Sequence, residues 1–306
     1  MERLINNRLQ WYIDKHIHLP KAQIGFRKEC TTLDNITRLE TDIQQDFNVK
    51  KSTTAIFLDI ETAYDNTWIT GLMYKITKLN INGKTLKWIN NFLGDRIITV
   101  KVNNSTSEKR RLTKGVPQGY VLSPLLFNIM MADFPIQDKE CKVSLFADDI
   151  EIHTTTEKNC DVERYLQGYL NKIETWAKHW RMKFSATKCM LVHFSRKKSQ
   201  ERNINLTLNN VQLKETNNYK FLGVIFDHKL TWENHINLLS ASLTHSHNLI
   251  KMLTYGKTTL KLPLLVKIYN AMTRSKLNYG ALALSSIPRS KLQKLEIKQN
   301  QILKTI

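Results

Sequence analysis

Three aspartates stand where strand-type apolar sequence ends, and together they could hold metal ions. Asp59 follows Phe57-Leu58, and Asp148 and Asp149 follow Phe146-Ala147. Carboxylates so close to apolar strands must be protonated, paired with a cation or bound to a metal. For any single acid, a strand-end cap or a salt bridge is the better explanation. The set of three favours magnesium, because this ion prefers oxygen ligands and two such ions can promote phosphoryl transfer.

A glycine- and proline-containing segment lies between these acids in the chain. Residues 115–119 read Gly-Val-Pro-Gln-Gly and precede an apolar segment at 122–134. Taken alone, this pattern is typical of a turn. Glycine also lets the backbone approach a planar ligand closely. The segment is therefore a candidate nucleotide-binding turn, in which Gln118 could contact a base or a sugar.

The charge of the chain indicates an anionic partner. The net charge is +19, of which +4 falls in residues 1–150 and +15 in residues 151–306. A solvated, lysine-rich surface accounts for most such patterns. An acidic centre in the first half and a basic second half suit a nucleic-acid polymerase better, because such an enzyme needs carboxylates for metal and cations for the phosphate backbone.

The sequence argues against secreted and membrane-spanning classes. No apolar run approaches the length needed to cross a bilayer, and Met1-Glu2-Arg3 leads into polar sequence. The four cysteines are scattered without a Cys-x-x-Cys pair, which disfavours a zinc site or a disulfide framework. We expect an intracellular protein of the nucleus or cytoplasm that does not bind a membrane.

Hydrophobic periodicity predicts an α+β fold. Helices are predicted over residues 1–19, 32–48, 66–79, 84–93, 122–134 and 161–181. Strands are predicted over residues 53–60, 188–194, 205–208, 211–214 and 219–226. Two hairpins are predicted, one pairing 96–103 with 107–113 around Asn103-Asn104-Ser105, the other pairing 142–147 with 150–154 around Asp148-Asp149. From residue 231 onward the pattern is helical, so we expect an α+β core followed by a helical subdomain.

Six stretches of the sequence form an ordered set of motifs. They are residues 23–27 (QIGFR), 57–65 (FLDIETAYD, with Trp68 after it), 115–128 (GVPQGYVLSPLLFN), 146–149 (FADD), 183–188 (KFSATK) and 219–223 (YKFLG). In this order they resemble the fingers motif, four palm motifs and the primer grip of the reverse transcriptase of non-LTR (LINE-type) retrotransposons, and a jockey-like insect lineage is the clade they favour. A single Ala-Asp-Asp would be a weak signal, whereas six motifs in family order are specific.

The resemblance implies a right-hand polymerase fold and RNA-directed DNA synthesis. Partial fingers would span residues 1–50, a palm with interleaved fingers elements 51–229, and a helical thumb-like region 230–306. The palm would be a split βαβ antiparallel sheet with helices on one face. The enzyme would extend a DNA primer 3′-hydroxyl with deoxynucleoside triphosphates on an RNA template, and also on DNA, using two Mg²⁺ ions.

The resemblance also implies roles in catalysis. Asp59 and Asp148 would bind the metals directly, and Asp149 would be a supporting acid. The backbone carbonyl of Ile60 would touch the second metal. Lys188 would be the general acid that protonates pyrophosphate, although an ordinary solvated lysine explains that residue equally well.

Further implied roles concern the substrate and the primer. Tyr64 would be the steric gate against a ribose 2′-hydroxyl, with an ordinary packed aromatic as the competing interpretation. Arg27 would hold the triphosphate, unless it is simply a surface arginine. Gln118 and Gly119 would pack beside the incoming nucleotide. The primer-grip turn would consist of Phe221, Leu222 and Gly223, which would otherwise be interpreted as core strand.

Some positions depart from the family pattern. Tyr120 replaces a small hydroxyl residue, and Ser185 replaces an asparagine. We expect a chain that begins inside the fingers, without the upstream strand motif, and this truncation could impair activity. A non-catalytic nucleic-acid-binding remnant is therefore the alternative function. A group II intron maturase-like enzyme shares the palm, but needs a further domain for which 306 residues leave little room.

The C-terminal region is predicted from pattern alone. Residues 231–253 and 262–272 are amphipathic, and the apolar face is predicted to include Leu238, Leu239, Leu249 and Ile250. The cations of the region include Lys251, Lys257, Lys261, Lys267, Arg274, Lys276, Arg289 and Lys291. Such a basic surface would hold a template–primer duplex without reading its sequence. A surface that merely keeps the helices soluble is the competing interpretation.

Overall fold

The computed structural model describes residues 1–16, 19–136, 138–156, 159–197, 204–255, 260–279, 281 and 286–306. The helices of the first half are α1 (Glu2–His16), α2 (Thr32–Asn48), α3 (Ala63–Asn66), α4 (Ile69–Lys78), α5 (Gly83–Leu93) and α6 (Ser123–Met130). The later helices are α7 (Asn159–His179), α8 (Glu233–Thr254), α9 (Leu262–Tyr269), α10 (Ser275–Asn278) and α11 (Arg289–Leu303), with a π-helical turn at Asn270–Arg274. None of the helices in these described ranges is long and apolar enough to cross a membrane.

The strands are short, apart from two of eight residues. The first five are β1 (Ser52–Asp59), β2 (Arg96–Ile98), β3 (Lys101–Val102), β4 (Ser105–Thr106) and β5 (Arg110–Leu112). The next four are β6 (Lys142–Phe146), β7 (Asp149–Thr156), β8 (Met190–Phe194) and β9 (Thr207–Leu208). The last four are β10 (Val211–Gln212), β11 (Lys214–Glu215), β12 (Asn218–Phe221) and β13 (Val224–Asp227).

The main sheet places β1 at its centre. The strand order is β11-β8-β1-β7-β6, and β6 and β7 form an antiparallel hairpin in which Phe146 pairs with Asp149. β1 is buried from Ser52 to Leu58 and becomes half-buried only at Asp59. A strand that is buried on both faces is expected at the centre of a covered sheet. The carboxylate of Asp59 therefore marks the point where β1 leaves the core.

α6 is buried on all sides. Every residue from Leu125 to Met130 is buried, and Pro124 stands in the first turn, where its missing N–H costs no helical hydrogen bond. A helix that is apolar all round belongs in a core. The glycine-containing segment at 115–119 is thereby connected to a rigid element.

Both predicted hairpins are confirmed, whereas the single strand predicted over 219–226 is wrong. β2 pairs with β5 and β3 with β4 around Asn103-Asn104, as predicted, and the β6–β7 hairpin is also confirmed. The continuous strand over 219–226 is wrong, because β12 and β13 form a hairpin around Leu222 and Gly223. Both turn residues have positive φ (44° and 86°), which reverses the chain within two residues.

The chain divides into two compact units. The first comprises residues 1–31, 54–191 and 200–214, and the second comprises residues 32–53, 192–199 and 215–306. The apolar core of the first unit includes Leu72, Leu126 and Leu170, from α4, α6 and α7. In the second unit Trp232 is fully buried, with its ring 5.3 Å from that of Phe226. The division into fingers, palm and thumb stays a prediction.

α8 buries a different face from the one predicted. Ile236, Leu243 and Ile250 are buried at seven-residue spacing, whereas Leu238 is 43% exposed. Successive residues of a helix are about 100° apart, so Leu238 lies about 200° round the axis from Ile236. The four predicted residues span an arc of about 120°, which overlaps the buried face at Ile250 and is offset from it at Leu238. Of the four leucine and isoleucine residues assigned to it, only Ile250 is buried, and Leu239 and Leu249 are half-buried.

Lys75 is a buried cation in the first unit. Its Nζ donates to the backbone carbonyl of Met130 and to the carboxylate of Asp133, and lies 3.8 Å from the centre of the Trp180 ring. The indole of Trp176 donates to the same carboxylate at 2.9 Å. Burial lowers the pKa of Lys75 to about 8, although its hydrogen bond and attraction to Asp133 oppose the change. Lys75 thus connects α4 with the segment after α6 and with α7.

Candidate active site

The end of β1 is tied to the segment that carries Lys188. The Ser185 N–H donates to the Asp59 carbonyl at 2.9 Å, and the Glu61 N–H donates to the Lys183 carbonyl at 2.8 Å. Ile60 and Phe184 form an antiparallel bridge between these two contacts. This pairing brings the Lys188 Nζ to 3.1 Å from the Asp59 Oδ2. Two motifs far apart in sequence therefore meet at one carboxylate.

The other two acids lie at the β6–β7 turn. Ala147 has a φ of +55°, which lets the chain reverse between Phe146 and Asp149 and leaves Asp148 in the turn. Asp149 is the first residue of β7. Both carboxyl groups interact electrostatically with Asp59 and with Lys188. The structure therefore brings together the three acids singled out in the sequence.

The negative charge of the three acids is only partly neutralised by Lys188. Burial, followed by the negative charges of Asp148 and Asp59, raises the pKa of Asp149 to about 6, against the influence of Lys188. Burial also raises the pKa of Asp148, and Asp59 adds to the effect. The hydrogen bond to Asp59 raises the pKa of Lys188. One ammonium group thus faces three carboxyl groups, an imbalance that a bound cation would relieve.

The chemistry of the cluster fits a hard divalent cation, because every donor is a carboxylate oxygen. In the arrangement observed, however, no group of three or more His, Cys, Asp or Glu side chains among the described residues converges closely enough to hold an ion. Lys188 instead pairs with Asp59. The residues predicted to bind metal are neighbours, and their role as ligands stays a prediction.

Tyr64 lies beside these acids. Its ring stacks on Phe127 of α6, with the ring centres 4.9 Å apart and an interplanar angle of 18°. Its carbonyl accepts the Val116 N–H at 2.7 Å. Burial and the nearby charge of Asp148 raise the pKa of Tyr64 to about 12. The phenol is therefore held neutral and rigid next to the acid cluster.

The glycine-containing segment packs against the residues that follow β1. Gly115 has a φ of +91°, its N–H donates to the Thr67 carbonyl at 2.8 Å, and a Cβ would lie 2.7 Å from the Asp65 carbonyl oxygen. Only glycine fits this approach. The Gln118 side chain donates to Asp65 Oδ2 at 3.1 Å, and Gly119 is open on the side where a Cβ would point.

Arg96 supports this segment, a role that was not predicted from the sequence. Its guanidinium donates to the Lys114 carbonyl at 2.9 Å and to the Gly115 carbonyl. A single arginine at the start of a strand carries no signal of such a role, because the contact depends on the β2–β5 hairpin. Arg96 fixes one side of the glycine-containing turn.

Arg27 forms hydrogen bonds within its own loop. Its Nη1 donates to the carbonyls of Pro20 and Gln23, each at 3.2 Å, and the side chain is half-buried. Arg27 is therefore partly buried and hydrogen-bonded within its own loop. Its predicted contact with triphosphate stays a prediction.

The predicted primer grip belongs to the second unit. Phe221 is buried at the end of β12, and the Leu222 carbonyl accepts a hydrogen bond from the Tyr279 hydroxyl at 2.6 Å. A Cβ on Gly223 would lie 3.1 Å from the Tyr279 ring. Tyr279 was not singled out in the sequence, because it lies more than fifty positions from the turn that it supports.

Tyr120 and Ser185, the two residues that depart from the family pattern, lie in different surroundings. Tyr120 is 52% exposed and makes an edge contact with Phe92 at 5.6 Å between ring centres. Ser185 contributes its backbone N–H to the Asp59 carbonyl, while its hydroxyl lies 3.3 Å from that of Thr187. The contact that joins Ser185 to the site therefore does not require a particular side chain.

The C-terminal cations fall into two groups. Lys276 donates to the Ser242 hydroxyl at 2.7 Å, and Lys291 donates to the Thr231 carbonyl at 2.7 Å, so both stabilise the helices. Lys257 lies outside the described residues. Of the eight cations named from the sequence, those with exposed side chains are Lys251, Lys261, Lys267, Arg274 and Arg289.

In this α+β fold, the central strand of the main sheet and the adjacent β6–β7 hairpin carry the clustered acids. The sequence matches the family described as reverse transcriptase (RNA-dependent DNA polymerase) over residues 1–226, and the chain belongs to this family. The predicted family is thereby confirmed.

The similar curated proteins come from non-LTR retrotransposons. The chain is 31% identical over 315 residues to the RNA-directed DNA polymerase from mobile element jockey of Drosophila funebris. It is 29% identical over 312 residues to the probable RNA-directed DNA polymerase from transposon BS of Drosophila melanogaster. Each match covers 100% of this chain and 34% of the relative, so the chain spans about a third of the length of these proteins.

Among solved structures, telomerases have a similar fold. Apo telomerase from Candida tropicalis matches with a TM-score of 0.53 at 13% identity, covering 100% of this chain and 56% of that chain. Telomerase from the same organism in complex with a fragment of telomeric RNA matches with a TM-score of 0.52 at 11% identity, covering 98% and 50%. The predicted α+β polymerase fold is therefore confirmed.

Proposed function

We propose that this chain catalyses RNA-directed DNA synthesis, extending a DNA primer 3′-hydroxyl with deoxynucleoside triphosphates on an RNA template. One observation carries the proposal. Asp59, Asp148 and Asp149 are electrostatically coupled at one site, with Tyr64 beside them. The names of the curated relatives support the same reaction. We expect the protein to act inside the cell, in the nucleus or the cytoplasm.

Two Mg²⁺ ions are the proposed cofactors. Asp59 and Asp148 would bind them directly, Asp149 would support the site, and the Ile60 carbonyl would contribute a further oxygen. When bound, such ions supply positive charge for the attacking and leaving oxygens of an in-line phosphoryl transfer. The chain's own contribution is to hold its carboxylate and carbonyl oxygens in position before substrate arrives.

Lys188 has one observed position and one proposed position. In the structure its Nζ neutralises Asp59, at 3.1 Å from Oδ2. A cation bound at Oδ2 of Asp59 would displace this contact. The released Nζ then carries a proton beside the site, where it can be transferred to the departing pyrophosphate.

The remaining residues would position the nucleotide. Tyr64, fixed on Phe127, would exclude a ribose 2′-hydroxyl by steric clash. Gln118 and Gly119 would line the base and sugar, and Arg27 would hold the triphosphate from the fingers loop. The open side of Gly119 leaves space for a ligand to approach the backbone.

A non-catalytic nucleic-acid-binding protein is the second candidate. The Lys188–Asp59 ion pair favours it, because the pair neutralises the first acid of the site. Primer extension with the purified chain, a DNA primer on an RNA template, deoxynucleotides and Mg²⁺ separates the two candidates. Metal-dependent extension supports the polymerase, and template–primer binding without extension over a range of Mg²⁺ and Mn²⁺ concentrations supports the second candidate.

A further inference from the structure

The turn that carries Asp148 is held by a buried side chain from the fingers motif. The Ala147 N–H donates to Gln23 Oε1 at 3.2 Å, and Gln23 Nε2 donates to the Ala147 carbonyl at 3.4 Å. Gln23 is only 1% exposed. One side-chain amide therefore satisfies both backbone groups of the residue immediately before Asp148.

The backbone around Gln23 reinforces this contact. Residues Gln23 and Leu145 form a parallel bridge, in which the Ile24 N–H donates to the Leu145 carbonyl at 3.1 Å and the Leu145 N–H donates to the Ala22 carbonyl at 2.9 Å. This short segment lies along β6, the last strand in the order of the main sheet. Gln23 is thus placed by main-chain hydrogen bonds on the strand that leads into the turn.

Gly25 completes the contact. A Cβ at this position would lie 2.4 Å from the Ala147 nitrogen, a distance that no side chain permits. The Gly25 N–H donates to Gln23 Oε1 at 3.1 Å, and its carbonyl accepts from the buried Asn128 side chain at 2.8 Å. The loop backbone therefore lies directly against the turn, and α6 holds the loop in place.

The turn needs this support. Ala147 has a φ of +55°, a conformation that alanine rarely adopts and that persists only where surrounding contacts impose it. A neutral amide is suited to the task, because it offers an acceptor to the N–H and a donor to the carbonyl. A carboxylate at position 23 would lack the donor and would add negative charge beside three acids.

We propose that Gln23 is a positioning residue that holds the Ala147-Asp148 turn in the conformation required for cation binding. The inference rests on the proposed function only for the identity of the cation. Removal of a hydrogen bond that orients a metal ligand typically lowers metal affinity or activity by about 10- to 100-fold.

The test uses the full chain and Gln23→Met, which is close in size and lacks both hydrogen bonds. Three quantities are measured: exchange of the Ala147 amide by NMR, Mn²⁺ affinity by the electron paramagnetic resonance of free Mn²⁺, and the Mg²⁺ concentration for half-maximal primer extension. We expect faster exchange, and at least ~10-fold weaker Mn²⁺ binding with a matching increase in Mg²⁺ requirement. Ser246→Ala is the control, since it removes a fully buried hydroxyl that bonds Met272 in the second unit.

A loss of thermal stability alone would not produce this result, because Ser246→Ala should lower the melting temperature without changing Mn²⁺ affinity. Unchanged Mn²⁺ affinity and Ala147 exchange in Gln23→Met would overturn the inference. If the wild-type chain binds Mn²⁺ but does not extend primers, the proposed function fails, while weaker Mn²⁺ binding by Gln23→Met still supports the role of Gln23.

The wild-type chain provides a test that needs no variant to fold. The Ala147 amide should exchange much more slowly than that of Asn104, which lies in the exposed β3–β4 turn, before any cation is added. Equal exchange at the two turns would contradict a turn that is held in advance by Gln23.

Discussion

Lys188 and Asp59 are 129 positions apart in the chain, and their Nζ and Oδ2 atoms lie 3.1 Å apart. The lysine side chain is 66% exposed and the aspartate 21%. An ion pair so open to solvent contributes little to stability. It can therefore open at little cost when a cation competes for Asp59, which makes it compatible with a catalytic site.

Lys188→Met should have opposite effects on cation binding and on catalysis. Removal of the competing ammonium should strengthen Mn²⁺ binding by up to ~5-fold, given the modest strength of exposed ion pairs. Loss of a general acid should lower kcat by about 100-fold. Titration with Mn²⁺ and single-nucleotide incorporation measure the two effects. Lys172→Met is the matched control, because Lys172 pairs with Asp138 at 2.7 Å and should alter neither quantity.

Asp148→Asn should abolish primer extension and leave template–primer affinity within about 3-fold of the wild type, since only the metal site is altered. Fluorescence anisotropy measures the binding and primer extension measures the rate. Asp138→Asn removes a carboxylate from another lysine pair in the first unit and should retain activity. An equal loss of binding and extension in Asp148→Asn would indicate a structural role for the acid.

Tyr64→Ala should admit ribonucleotides. The ring stacks on Phe127 and so forms a fixed wall, and its removal should change the ratio of kcat/KM for dATP over ATP more than the rate for dATP alone. Tyr64→Phe keeps the ring and should keep discrimination. Competition between dATP and ATP at one template position is the measurement, and an unchanged ratio in Tyr64→Ala would make Tyr64 a packing residue.

Charge reversal at Lys261, Lys267 and Arg274 should weaken duplex binding and reduce its dependence on salt. All three side chains are exposed. Each lost phosphate contact should flatten the slope of log affinity against log salt concentration by about 0.9 on a B-form duplex. The change should be the same for duplexes of unrelated sequence. Reversal at Lys84, Lys87 and Lys139, which are exposed in the first unit, matches the change in net charge. If both triple variants keep the wild-type slope, the C-terminal cations serve solubility.

Lys75 should make stability depend on pH in alkaline solution. Its pKa of about 8 in the folded chain lies below the ordinary value of 10.5, so between these values the unfolded chain binds more protons and the free energy of unfolding rises with pH. The full gain is on the order of 3 kcal/mol. Urea denaturation at several pH values should show this rise in the wild type relative to Lys75→Met. A pH-independent difference between the two proteins would mean that Asp133 keeps Lys75 charged throughout.

Local patterns were sufficient to predict most elements and the identity of the acids. β1 could be recognised from its apolar run at 55–58. The hairpin around Asn103-Asn104 could be recognised from alternation on either side of a polar turn, and the β6–β7 hairpin from two strand-type segments that meet at Asp148-Asp149. The strand prediction over 219–226 failed at Leu222, since leucine with a positive φ gives no signal in sequence. The face of α8 was misassigned because its core side includes the polar residues His235 and Ser246.

The sequence by itself determined the family, the α+β class, and the residue types available for chemistry, because these depend on local order along the chain. Only the tertiary structure decided which groups meet: Lys188 with Asp59, Gln23 with Ala147, Lys75 with Asp133, and Tyr279 with Leu222. Each pair joins residues far apart in sequence, and each contact depends on the burial and hydrogen bonding of several elements at once. Such long-range pairings are a property of packing, which the pattern of a single segment does not contain.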